Sequence, residues 1–243
     1  MFKKYIFVPM ALILAIESSE SICSVALFKN AELLGFREKN EPNVHSQFLF
    51  TLIGELMQSQ GYQISNLGAV AVNLGPGSYT GLRIGCTAAK AIAYSNSIPL
   101  IGLEGLSLVA SAYATQNHLS DCDFICSMVD ARRMEVFWQF FNWHNEELTK
   151  AEPAILTEVE LPIETSNANL HVIGSGAFKC VELEIFKGAK ISTNTLSHAK
   201  FMGPLLFEKW NNNEFQDVAY FEPSYLKGFH FVAPKKQRKP ING

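Results

Sequence analysis

The sequence predicts an α/β fold built as two lobes, and three observations carry that prediction. The 243-residue chain opens on consecutive hairpin-like strands, which indicates a mixed sheet with an antiparallel start. Strands and helices then alternate as far as residue 116, the pattern of parallel pairing. After a polar break at 117–123 a pattern of the same kind starts again.

Each element follows from local pattern. Residues 11–17, ALILAIE, form a near-continuous apolar run that suits a strand buried on both faces. Residues 22–28 and 31–37 read as the next two strands, joined through a turn at Lys29-Asn30. A helix is expected over 44–60, where Val44, Phe48, Leu52 and Leu56 recur at four-residue steps beside Leu49, Ile53 and Met57, and Gly61 closes it. Strand 69–74 leads through a glycine-rich segment into an alanine-rich helix from Thr80 to about Ser95. Strand 98–103 and helix 104–116 complete the first lobe. In the second, strands are expected at 124–130, 134–141 and 170–174, and helices at 176–185 and 197–211. The reading therefore divides the chain into a first lobe (10–116), a second (117–212), a segment (213–230) that returns to the first lobe, and a basic, disordered tail (231–243).

The opening nineteen residues resemble a signal peptide, with two lysines before an apolar run. Pro9 and the lack of a small-x-small cleavage site argue instead for a natural start at Met10, with residues 1–9 an upstream extension. Hydrophobic residues make up 48% and charged residues 18%, enough to bury a large core. A net charge of −3 argues against a general polyanion binder and leaves room for a local basic patch. The five cysteines, Cys23, Cys86, Cys122, Cys126 and Cys180, lack zinc-type spacing, so reduced thiols in a cytoplasmic protein are expected.

The segment Gly75-Pro76-Gly77-Ser78-Tyr79-Thr80-Gly81 lies between a predicted strand and a predicted helix, a place that suits an anion. A dinucleotide fingerprint needs its third glycine where Thr80 stands, Pro76 removes an N–H, and no Walker lysine follows. A tight turn that lets a helix pack closely and a binding surface remain as alternatives to a phosphate loop. Asp130, Arg132 and Arg133 sit at a strand end, and read either as a turn with an ion pair or as a contact to nucleotide or RNA. Gly174-Ser175-Gly176 reads as a strand-to-helix turn or as an approach to adenine. His45 near a helix start has Leu49 at i+4, so no metal pair is expected. The helix at 44–60 is apolar on more than one face, and Gly81 and Gly85 are spaced to admit another helix, which together suggest a helix–helix interface.

The run GPGSYTGLRIG at 75–85 resembles the signature of the TsaB (YeaZ) family. Residues 13–19 with 24–27, His45-Ser46, the stretch 130–137 and Pro223-Ser224-Tyr225-Leu226-Lys227 are similar to further pieces of that family, so the likeness spans about 11–227. The resemblance implies a two-lobed actin-like ATPase (ASKHA, ribonuclease H-like) fold. It also implies a non-catalytic subunit that binds and activates the threonylcarbamoyl transferase TsaD. That enzyme forms N6-threonylcarbamoyladenosine at position 37 of tRNAs reading ANN codons. The implied partners are TsaD, the ATPase TsaE and tRNA through the complex, and a second copy in isolation, with no membrane, metal or cofactor. Kinases of this fold carry an Asp-x-Gly loop where this chain has Glu17-Ser18-Ser19. The expected interface comprises His45, Phe48, Leu49, Leu52, Ile53, Leu56, Gly77, Tyr79, Thr80, Gly81, Leu82, Arg83, Gly85 and Ala89, with Gly85→Arg expected to abolish partner binding and spare the fold. Ser18, Ser19, Asp130, Arg132, Arg133, Gly174 and Gly176 are the candidate nucleotide or RNA contacts. The rival readings are an actin-fold small-molecule kinase or phosphohydrolase using the 75–81 loop, and a stand-alone homodimeric scaffold.

Overall fold

The structure, a computed structural model, describes residues 11–30, 32–41, 44–164 and 169–226. The first sheet joins β1 (Leu12–Glu17), β2 (Cys23–Lys29), β3 (Glu32–Lys39), β4 (Ala69–Asn73) and β5 (Leu100–Leu103) in the order β3-β2-β1-β4-β5. β1 runs antiparallel to β2 and parallel to β4, so it is the central strand and all its residues are buried. Burial on both faces is why its sequence shows no polar alternation. Period-two geometry still sorts its side chains. Leu12, Leu14 and Ile16 meet α1 (Val44–Ser59) and α2 (Tyr79–Asn96), and Ile13 and Ala15 meet the opposite layer.

That opposite layer is supplied by Ala199, Met202 and Leu206, which pack on Ala15, Ala26, Ala69 and Ala71 of the first sheet. The alanines let it approach closely. The sequence pattern predicts one helix over 197–211 within the second lobe. It is instead a 3-10 turn, Ala199–Phe201, followed by α4 (Gly203–Asn212), because Pro204 sets the helix start. Residues 213–226 run along α2 on the first lobe. Gln216 N donates to Leu100 O at 2.8 Å, Ser224 N to Leu74 O at 2.9 Å, and Lys90 Nζ to Phe221 O at 3.0 Å.

The second sheet has the order β10-β9-β6-β7-β8, from β6 (Phe124–Asp130), β7 (Glu135–Asn142), β8 (Glu152–Ile155), β9 (Leu170–Ile173) and β10 (Lys190–Ser192). The edge strands β8 and β10 went unread because they are four and three residues long, and β8 contains Pro153, which an edge tolerates. Between the lobes lies α3 (Gly105–Gln116). Its Val109, Ala110 and Tyr113 meet Ile125, Val129, Phe141 and Ile173 of the second sheet, while Leu108 joins the first-lobe core. The helix expected at 176–185 is two 3-10 turns, Ala177–Cys180 and Glu184–Phe186, divided where Leu183 turns extended. Glu182 and Glu184 would also have faced the negative end of such a helix.

The expectations for residues 1–9 and for the basic tail lie outside the described residues. Among the described residues no helix is long and apolar enough to cross a membrane. Cys122 is exposed and the other four cysteines are buried and unpaired; burial pushes the thiols of Cys23, Cys86 and Cys180 up to about 12.

Candidate functional site

The glycine-rich segment and the β1–β2 turn are packed against each other. Ser78 caps α2 by accepting from Gly81 N at 3.3 Å, and its own N–H donates to Ser19 O at 2.6 Å. Ser18 Oγ donates to Gly81 O at 2.9 Å. A methyl group at Gly77 would overlap Ser19 O, one at Gly81 would overlap Ser18 O, and one at Gly85 would overlap Ser18 Oγ. These glycines therefore let the first two turns of α2 lie directly on the β1–β2 turn. This corrects the expectation for Gly81 and Gly85: the space they leave is filled from within by Ser18, not by a helix of another protein. Gly85→Arg would disrupt that packing and cannot serve as a clean interface probe.

Where the lobes meet, the polar donors are committed to the chain's own carboxylates. Glu17 Oε1 accepts from Ser19 N at 2.6 Å, and Oε2 accepts from Asn73 Nδ2 at 2.6 Å and from the Ser197 hydroxyl. Asn73 Oδ1 in turn accepts from Gly75 N at 2.8 Å. Glu20 Oε2 accepts from Ser197 N at 3.1 Å, and its carboxylate reaches the second lobe by taking the hydroxyl of Ser175. Burial, and then the nearby charges of Glu17 and Asp130, hold the Glu20 carboxyl above the usual carboxylate range. Asp130 accepts from Arg132 N at 2.7 Å and pairs with Lys179, and its N–H donates to Ser175 Oγ at 3.1 Å. The candidate contacts Ser18, Ser19 and Asp130 are thus each engaged within the chain: Ser18 with Gly81 O, Ser19 with Glu17, Asn73 and Ser78, and Asp130 with Ser175, Arg132 N and Lys179. An anion entering here would meet three carboxylates and would have to displace their hydrogen bonds.

The remaining candidates in this region have internal reasons. Arg132 and Arg133 adopt positive φ, 72° and 48°, and form the tight β6–β7 turn. The aspartate's ion-pair partner is Lys179, not either arginine. Gly174, at φ 98°, has no room for a methyl beside Met128 O, and a methyl at Gly176 would lie 2.8 Å from Val136 Cγ1. Both glycines seat their turn on β6. Sequence reading passed over Asn73, Ser197, Glu20 and Lys179. Asn73 carried a usable signal, since it is the one polar residue in AVAVNL and ends a buried strand.

The helical layer outside the first sheet has a different character. Leu49, Leu52, Ile53, Leu56, Leu82 and Ala89 are buried in the lobe's own core, which corrects their assignment to an outward interface. Phe48 is half-buried beneath Lys39, whose Nζ lies 3.6 Å from the ring centroid. His45 packs beside the carbonyls of Ile22 and Glu20, burial lowers its imidazole, and its Nε2 is buried without a hydrogen-bond partner. The outward surface consists of Gln47, Phe50, Thr51, Gly54, Glu55 and Gln58 on α1, with Thr80, Arg83, Thr87, Ala91 and Tyr94 on α2. Phe50 is 65% exposed and Tyr94 82%, and only Glu55 and Arg83 are charged. At one end of this surface Arg83 lies over the Tyr79 ring at 4.3 Å and donates to Tyr225 Oη at 3.3 Å, and the two tyrosine rings are 5.2 Å apart.

A pocket of about 500 Å³ opens beside the junction, lined by Ile22, Glu38, Tyr113, His198, Lys200 and Phe201 among others. Lys200 N donates to His198 Nδ1 at 3.0 Å, so the neutral ring presents Nε2–H to Glu38 Oε2 at 2.6 Å. Among the described residues no three His, Cys, Asp or Glu side chains are grouped to hold a metal ion.

Comparison with known proteins places this geometry in a family. The family model described as TsaD, tRNA N6-adenosine threonylcarbamoyltransferase, matches residues 39–197. The tRNA threonylcarbamoyladenosine biosynthesis protein TsaB of Escherichia coli is 26% identical over 88% of this chain and 94% of its own. The Haemophilus influenzae protein of the same name is 25% identical over 88% and 93%. In fold, the chain is similar to the structure of YeaZ from Pseudomonas aeruginosa, with a TM-score of 0.76 and 23% identity over 89% of this chain and all of the other.

Proposed function

The chain belongs to the TsaB (YeaZ) branch of the TsaD-type family, which takes part in tRNA threonylcarbamoyladenosine biosynthesis, and from that premise we propose that it acts as a docking subunit for the threonylcarbamoyl transferase, without chemistry of its own. The observation that carries the proposal is the outer face of α1 and α2. Residues 11–226 hold all 23 acidic residues and 13 of the 20 basic ones, a net charge of −10. The α1–α2 face departs from that background. Its exposed aromatics flank small residues, Gly54, Thr87 and Ala91, and depletion of charge with enrichment of aromatics is the composition of an interface core. Small residues at its centre let a partner helix approach closely.

The junction of the lobes supports the second half of the reading. Glu17, Glu20 and Asp130 occupy the backbone donors Ser19 N, Ser197 N and Arg132 N at the junction, so these are not free to hold a phosphate. The kinase and phosphohydrolase alternative therefore requires binding energy to break this network before it can bind substrate.

The test is co-purification of tagged full-length chain with the transferase of the same organism, using Gly54→Arg. Nothing lies within 4 Å of a methyl built at Gly54, so the arginine projects from an undisturbed fold into the proposed contact. Loss of the complex with an unchanged Tm is expected. Retention of the complex would move the interface elsewhere. If wild type runs as a dimer and never captures the transferase, the homodimeric scaffold is the better account.

A further inference from the structure

The pocket beside the junction is lined by two opposite charges that do not meet. Its wall holds one carboxylate, Glu38, and one ammonium, Lys200, and no other Asp, Glu, Lys or Arg. Glu38 Oε2 accepts from His198 Nε2 at 2.6 Å. Burial lowers that imidazole, so near neutral pH the ring satisfies one oxygen without supplying a positive charge. Lys200 Nζ lies 5.1 Å from the Phe36 ring centroid and 5.0 Å from that of Phe201. The two rings steady the ammonium, which forms no ion pair among the described residues. Phe36 also packs edge-on against His198, with centroids 5.5 Å apart, so both charged groups rest on one aromatic wall.

The amides of the pocket act as acceptors. Gln116 Nε2 donates to Ala112 O at 2.7 Å and Asn117 Nδ2 to Tyr113 O at 2.9 Å, which leaves their side-chain carbonyl oxygens for a guest. The Ser192 and Thr195 hydroxyls, 3.3 Å apart, take each other. Together with Glu38, the amide oxygens suit a group with several N–H donors, and Lys200 suits a carboxylate. A phosphate would face the Glu38 charge with a single cation to offset it. An apolar guest would strip water from both charges and return nothing. The volume, about 500 Å³, is that of a small-molecule site.

We propose that this pocket binds a free amino acid as its zwitterion, with the ammonium on Glu38 and the amide oxygens of Gln116 and Asn117, and the carboxylate on Lys200. None of these groups belongs to the network of Glu17, Glu20 and Asp130, so a guest displaces none of its bonds. Glu38 lies on β3 of the first sheet and Ser192 ends β10 of the second, so a guest here touches both lobes. Phe201 packs in the layer opposite α1 and α2, which keeps the site apart from the docking face.

The experiment is saturation-transfer NMR on the full-length chain with an equimolar mixture of the twenty proteinogenic L-amino acids, followed by titration of those that bind. At least one should bind with a Kd of about 1 mM or tighter, and its N-acetyl and methyl ester forms at least about tenfold more weakly, because each loses one charged contact. Glu38→Gln keeps an acceptor for His198 and removes the charge. It should weaken the free amino acid about tenfold and leave the N-acetyl form unchanged, and Lys200→Gln should do the same with the ester as the insensitive form. Saturation transfer to none of the twenty would overturn the proposal. Equal affinity for the free and N-acetyl forms would also overturn it, leaving Lys200 as a simple anion site. Wild-type affinity in both variants, each checked for an unchanged Tm, would place the guest elsewhere and overturn it as well.

Discussion

Two helical glycines, Gly54 and Gly85, offer a sharp test of how α2 is held, because the same change should have opposite effects on them. Glycine inside a helix costs about 0.5–1 kcal/mol relative to alanine. At Gly54 a methyl meets nothing within 4 Å, so Gly54→Ala should recover that amount. For a chain of this size the gain is about 1–4 °C in Tm. At Gly85 the same methyl overlaps Ser18 Oγ, the atom that donates to Gly81 O at 2.9 Å. The serine must swing away and lose that bond, worth about 1 kcal/mol, and the turn must shift, with overpacking worth about 1–3 kcal/mol. After the helical gain, Gly85→Ala should be net destabilising by about 1–3 kcal/mol. Urea denaturation followed by far-ultraviolet circular dichroism measures both variants. A second cycle tests the cause. In Ser18→Ala the offending hydroxyl is gone, so Gly85→Ala should cost at least about 1 kcal/mol less in that background. If Gly85→Ala proves as stable as Gly54→Ala, or if the cost is unchanged without the hydroxyl, the account of α2 resting on the β1–β2 turn is wrong.

The carboxylates at the junction yield further expectations. Glu20 has its folded pKa raised above the unfolded value, so ionisation costs stability as pH rises through the folded pKa, while below the unfolded value of 4.5 the cost is absent. Glu20→Gln keeps an acceptor for Ser197 N and removes the charge. Its Tm should exceed that of wild type at pH 7.5, with the advantage fading toward pH 4; a gap that is constant with pH would refute the assignment. Asn73→Ala leaves Glu17 Oε2 without one donor and Gly75 N without its acceptor, both buried, and should cost about 2–4 kcal/mol by urea titration. Little loss would mean that another group takes over both bonds.

Much of the fold could be read from the chain because its elements are long or repetitive. The alternation that places β1, β4 and β5 in one sheet depends on apolar runs and glycine breaks, and α1 and α2 announce themselves by spacing. What went unread has physical causes. β8 and β10 are edge strands of four and three residues, too short to show a period. Apolar residues of α1 look surplus in the sequence because periodicity cannot say how many faces a helix buries, and here Cys23, Val25 and Leu27 of β2 and Leu34 of β3 share one core with them. The site was legible in its members but not in their partners. Ser18, Ser19 and Asp130 stand in recognisable motifs, whereas Ser197 is 180 residues from the Glu17 it bonds, and Glu20 meets Ser175 across the two lobes. Only folding brings such pairs together.

The α1–α2 face and the closed junction are linked by how α2 is built. One side of the helix is stripped to glycine and alanine so that it can rest on the β1–β2 turn, and this brings the Ser18 and Ser19 carbonyl and hydroxyl groups into its first turns. A turn held that way presents Glu17 and Glu20 toward the second lobe, and there they close the junction through Ser197 and Ser175. The same close seating fixes the orientation of the helix and turns its opposite side, with Thr87, Ala91 and Tyr94, to the outside. A partner docking there, as proposed, would meet a helix already seated on its own sheet. A ligand at the junction, by contrast, would first have to break bonds among buried groups. The physical balance of this chain favours recognition on its outside over chemistry within.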